Sequence, residues 1–143
     1  MKSFVTKNCG RTIVFHLTKG DKLQESLCEE LARLGVKNAI LTSMIGSLRK
    51  LSIHIITEVT DVSKDAHIDI EGAIELGVGQ GMVLDGVPHF HVVCSTPDGK
   101  THVGHLENGS EVQYLIEASF VEIDGLSLTR KKDQFGNVYI DQA

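Results

Sequence analysis

After a polar start, the chain enters RTIVFHL (Arg11–Leu17), a run of β-branched and apolar residues that predicts a strand. The period then changes. In TKGDKLQESLCEELARLG, Leu23, Leu27, Leu31 and Leu34 recur at i, i+4, i+8 and i+11, which gathers them on one face of a helix. Asp21 is placed to cap that helix and Gly35 to end it in a left-handed conformation. Beyond Gly35 the pattern is mostly that of strands. Val36–Leu48 and Leu51–Val59 flank Arg49-Lys50, expected as a tight connection. His67–Leu76 alternates His, Asp and Glu with Ile, the mark of a strand with one buried face. A glycine-rich GVGQGMVLDG comes next, then Val87–Thr96, which ends at the turn signal Pro97-Asp98-Gly99. Glu111–Asp124 predicts a long strand, and the tail LTRKKDQFGNVYIDQ a last short one. One main helix among many strands predicts an α+β fold with a largely antiparallel sheet. No linker, repeat or low-complexity segment divides the chain, so residues 1–143 are expected to form a single domain.

Composition narrows the function classes. A length of 143 residues suits one hydrophobic core, and 41% hydrophobic with 23% charged residues is ordinary for a folded globular chain. The formal net charge of -5 argues against a broad basic face for a polyanion such as DNA, although a local patch stays open. Cys9, Cys28 and Cys94 include no CxxC pair and read as free thiols in a reducing, cytoplasmic setting. MKSFVTKNCGR has no long apolar run, so no signal peptide is expected, and no stretch suits a membrane span.

Candidate chemistry concentrates in HFHVVCSTPDGKTHVGHL, which carries His89, His91, His102 and His105. Residues i and i+2 of a strand point the same way, so His89 and His91 share a face and can offer two imidazoles to one ion. Zinc accepts imidazole nitrogen, and its catalytic sites often use three protein ligands and keep one position open. The turn at Pro97–Gly99 folds the next strand back, bringing either His102 or His105 into reach. Three lookalikes fail. The cupin pattern lacks the carboxylate that should come after His-x-His, because Val92-Val93-Cys94-Ser95-Thr96 offers none. GVGQG does not lead into a helix that could meet a phosphate, so an irregular strand is expected there. Arg130-Lys131-Lys132 stands beside Asp133 and reads as a solvated segment. His16, His54 and His67 fall singly on predicted strands and read as structural. Glu75 and Glu117 are expected on wet faces; a buried one could orient a ligating imidazole.

In order along the chain, these features resemble the plants-and-prokaryotes-conserved (PPC) domain family, of the stand-alone type. Its Gly-Glu-Asp-Leu before the helix is matched by Gly20-Asp21-Lys22-Leu23, and Ile45-Gly46-Ser47-Leu48 stands intact. Glu75-Leu76 with Gly81, His89-Phe90-His91, Asp98-Gly99, Val103-Gly104-His105-Leu106 and Glu117 come next in the family order. The resemblance covers about residues 10–130 and leaves 131–143 as a C-terminal tail. It implies a homotrimer and a divalent metal, zinc in some members, on His89, His91 and His105. His102 has no counterpart and is left out. The chain departs from the pattern at Val103, where the family has Gly, and at Gly77–Gln80. The family's DNA-binding label resembles the work of a separate AT-hook, and this chain has no such segment.

Two functions are expected on these grounds. The first is a metal-binding trimer with a small-molecule or metal-dependent role, in which Glu75 is the candidate general base. The second is a DNA-associated regulator acting as a trimeric module, whose contacts would come from Arg49, Lys50, Arg130, Lys131 and Lys132 across subunits.

Overall fold

The computed structural model describes residues 1–59 and 64–143. Strand β1 (Cys9–Thr18) leads into helix α1 (Leu23–Arg33), and then come β2 (Ala39–Ile56), β3 (Asp65–Leu84), β4 (Val87–Ser95), β5 (Thr101–Leu106) and β6 (Glu111–Ile123). A closing hairpin of β7 (Leu128–Lys132) and β8 (Val138–Gln142) forms its own two-stranded sheet. The α+β class with an antiparallel sheet is as expected. The large sheet runs β1-β6-β2-β3-β4-β5, and β5 pairs back onto β2 through Ile53↔Leu106 and His54↔His105. Strands β2, β3, β4 and β5 therefore close into a ring, and β6 and β1 extend the sheet from the other half of β2.

The apolar positions explain the closure. Phe90, Val92 and Cys94 alternate inward on β4, Leu106 does so on β5, and Leu51 and Ile53 do so on β2; all are at most 1% exposed. The helix lays Leu23, Leu27 and Leu31 on this core, each burial favouring the fold by about 1.5–3 kcal/mol. Phe120 meets Phe15 edge-on at 5.7 Å and lies 5.9 Å from Phe90. Gly35 ends the helix at positive φ, its N–H donating to the Ala32 carbonyl.

Three local expectations are corrected, and a fourth, the irregular strand at GVGQG, is located. Arg49-Lys50 is no connection: β2 runs straight through it, with a shift of register between Leu48 and Lys50 against both neighbours. Nothing there turns the chain, and the bulge brings Leu48 and Leu51 to the same buried side although they are three apart. The glycine-rich GVGQG belongs to the same strand as His67–Leu76. A Cβ at Gly79 would lie 2.2 Å from Met44, and one at Gly81, whose φ is +143°, would lie 2.0 Å from the His89 carbonyl oxygen. Those glycines let β3 pass between its neighbours, in keeping with an irregular strand. Asp21 does not cap the helix. Its carboxylate accepts the Thr18 N–H at 2.7 Å, and Lys22 holds the N-cap position without a side-chain cap. The tail makes two strands rather than one.

Candidate metal centre

The backbone register sets the histidines in a row. On β4 and β5, His91 stands opposite His105; on β5 and β2, His105 stands opposite His54; on β2 and β3, His54 stands opposite His67. Directly opposed residues share a face of the sheet. Because the alternate residues Phe90, Val92, Ile53 and Leu106 fill the core, this face is the outer one. His89, two residues before His91, joins it.

The three residues expected as ligands are brought together. Ligand nitrogens of His89, His91 and His105 all lie within 4.8 Å of one another. The Nε2 atoms of His89 and His91 are 3.2 Å apart. Two nitrogens bound at about 2.0–2.1 Å to one tetrahedral ion are held about 3.3 Å apart, so this pair already has the separation zinc requires. The ring of His105 lies 4.8 Å from His89 and 5.5 Å from His91, centroid to centroid. Burial holds both His89 and His105 toward the neutral form that ligates. For His89, loss of solvent leads, helped by the Arg130 charge; for His105, loss of solvent leads, helped by the neighbouring imidazoles, and its pKa falls to about 4.

The site opens into a cavity of about 870 Å³. Its floor is formed by His54, His89, His91 and His105, with Gly104 among the strand residues, and its rim is the closing hairpin, through Arg130, Lys132 and Phe135. Arg130 is not the solvated residue its basic run suggested. It is half-buried, and its guanidinium donates to the carbonyls of Val87 at 2.8 Å and Met82 at 3.3 Å. A guanidinium carries five N–H donors, so capacity for an anion is left. Arg130 thus braces the β3–β4 turn and brings a positive charge beside His89.

Other expected residues are placed elsewhere. Glu75 is exposed on β3 opposite Ser95 and lines a separate hollow with Ser47 and Gln113; the fold does not bring it to the histidines. His102 pairs with Cys94 and its Nε2 lies 3.3 Å from Thr96 Oγ1, bracing the turn rather than joining the triad. Glu117 is exposed opposite His16 on β1 and Ile45 on β2. Val103, where the resemblance predicts Gly, stands half-exposed opposite Val93, and the ladder on either side of it is regular. The glycine that matters is Gly104, whose Cβ would lie 2.8 Å from the His54 carbonyl oxygen.

Sequence reasoning missed His54, His67 and Glu107. The ring of His54 stacks on His105 at 4.4 Å, with 20° between planes, and its Nδ1 lies 2.5 Å from Glu107 Oε1. The available signal was parity: His54 follows the buried Ile53, and His67 begins the alternation with Ile68 and Ile70, which pack against the core, so each histidine faces outward.

Comparison with known proteins agrees with this architecture. The model of the Plants and Prokaryotes Conserved (PCC) domain matches residues 5–124. This chain belongs to that family. A PPC protein from Pyrococcus horikoshii is similar to it at 28% identity and a TM-score of 0.80, over 98% of this chain and 99% of that one. A metal-containing protein from Archaeoglobus fulgidus shares the PPC fold at 24% identity and a TM-score of 0.82, over 97% of both chains. So does a candidate DNA-binding protein from Bacteroides thetaiotaomicron, at 16% identity and a TM-score of 0.77 over 95% of both. No curated protein sequence matches the chain. Among the described residues, no helix of this PPC domain is long and apolar enough to cross a membrane.

Proposed function

We propose that this PPC domain holds a divalent metal, zinc, on His89, His91 and His105 and offers it to a small anionic ligand. The observation that carries this reading is the convergence of three ligand nitrogens, two of them at the separation a tetrahedral ion needs. The Archaeoglobus neighbour's description as metal-containing supports it. Such an ion supplies Lewis-acid polarisation of a ligand oxygen. The chain's own residues do the rest. Burial holds the His89 and His105 imidazoles toward the neutral form, Arg130 and Lys132 set a positive rim, and the cavity admits a small molecule. We take the domain to work as a cytoplasmic homotrimer. Glu75 is set aside as general base because of its distance along β3 from the histidine row.

The test is elemental analysis of untagged protein beside His91→Ala and the triple His89/His91/His105→Ala variant. The expected result is the loss of one metal equivalent in each. Unchanged metal content in both would overturn the reading. DNA association ranks second. Its support is the description of the Bacteroides neighbour, but the basic residues it needs are divided here. Arg49 and Lys50 line a hollow with Glu71 and Glu111, Arg49 lies 3.6 Å from the Glu111 carboxylate, and Lys131 is turned to Asp141 and the Gln142 carbonyl. An absent band shift at low salt with micromolar protein would remove it.

A further inference from the structure

The row of histidines does not stop at the triad. Beyond His105 it continues to His54 and His67, and Glu107 reaches the same place from the end of β5. Ligand atoms of His54, His67 and Glu107 lie within 4.8 Å of one another. They come from three segments that the backbone fixes independently. The β2–β3 register sets His67 opposite His54, and the β2–β5 closure sets His105 opposite His54. The Glu107 N–H then donates to the Ser52 carbonyl at 2.9 Å, which pins Glu107 beside His54.

We infer that His54, His67 and Glu107 form a second divalent-cation site, next to the His89/His91/His105 site and on the same face of the strand ring. Two imidazoles and one carboxylate are a donor set that zinc uses in hydrolytic enzymes, and they leave a position open. An ion pair between His54 and Glu107 alone would account for their 2.5 Å contact, but not for His67, whose ring lies 5.6 Å from that of His54 on the third side of the cluster. The two donor sets share no residue. They meet where His54, the member of the second set that lines the cavity, stacks on His105 at 4.4 Å. The second site does not rest on the triad, and either site can fail alone.

The experiment is zinc titration calorimetry with elemental analysis on the full chain and three variants: His67→Ala, Glu107→Gln and His91→Ala. His67 is exposed, and Gln at 107 keeps a hydrogen-bonding side chain beside His54, so folding is preserved; thermal melts verify it. The wild type is expected to bind one zinc more than His67→Ala. Glu107→Gln should weaken that second equivalent at least tenfold, and His91→Ala should remove the other equivalent. If wild type and His67→Ala both bind one zinc, the second site is overturned while the triad stands, and if both bind none, both sites are overturned. If His91→Ala keeps its full complement and His67→Ala does not, the triad reading fails and the second site stands.

Discussion

Strand β5 reaches β2 only because residue 104 has no side chain, and that makes Gly104→Ala the sharpest probe of the closure. The added methyl would lie 2.8 Å from the His54 carbonyl oxygen and 3.1 Å from the Ile53 side chain. Ordinary contact begins near 3.4 Å, so β5 must move away by roughly half an ångström, and the neighbour that resists is backbone rather than a flexible tip. Overpacking of this kind costs about 1–3 kcal/mol. The lower chain entropy of Ala in the unfolded state returns about 0.4–1 kcal/mol. The net loss is about 1–2 kcal/mol, or a fall in Tm of roughly 3–8 °C for a domain of this size. The same shift carries His105 away from His54 and His91, so zinc affinity should fall with stability. Two further glycines calibrate the assay. Gly77→Ala should be nearly neutral, because its Cβ meets only the Val93 carbonyl at 3.8 Å. Gly81→Ala should be worse than Gly104→Ala, since it adds a 2.0 Å clash to a φ of +143°. Thermal melts and zinc titrations of the three variants suffice. A Gly104→Ala protein with the Tm and zinc affinity of the Gly77→Ala protein would refute the closure argument.

Three other outcomes are expected of the same structure. Loss of solvent, with the Glu25 charge adding to it for Cys28, raises the Cys28 thiol to about 11, and loss of solvent alone raises Cys94 to about 12. Both should therefore be alkylated far more slowly in native protein at pH 8 than in denaturant, and equal rates would disprove it. In metal-free protein His105 titrates near 4, below its unfolded value of about 6.5. The unfolded chain then binds the proton more readily, so this contribution to stability is present above about pH 6.5 and is lost as the pH falls toward 4. Melts of chelator-treated protein across that range, beside the imidazole resonances by NMR, check the sign. Val103→Gly, which restores the residue the family resemblance predicts, should leave metal content unchanged and cost about 0.5–1 kcal/mol by denaturant unfolding; an altered zinc stoichiometry would show that the departure matters.

The fold class and the pairing of His89 with His91 on one face were legible because their signals are local. The leucines of α1 repeat at helical spacing, and His89 and His91 share a face by the period of a strand. Assigning His105 rather than His102 needed the family resemblance, since the turn alone brings back either. The rest depended on partners far apart in the chain. His54 and His67 look like isolated residues until β2 and β3 are paired, and Glu107 gains meaning only when β5 closes onto β2. Arg130 looks solvated in sequence because its neighbours are basic, yet the hairpin folds over the cavity and turns it to two main-chain carbonyls. Polarity alone suggests a break at Arg49-Lys50, but a bulge accommodates two charged residues without turning the strand.

The long β2 strand also shapes the order in which the molecule can assemble. Its pairings with β3, and those of β3 with β4 and β4 with β5, join neighbours in the chain, whereas β1 meets β6 in a register such as Cys9↔Ile123. The entropic cost of closing a loop grows with its length, and distant pairings form slowly. The meander from β2 to β5 is thus the least costly part to order, and it already contains every histidine of the row. Metal ions that favour the ordered meander would act during folding as well as after it, so refolding with zinc present should be faster than refolding in chelator.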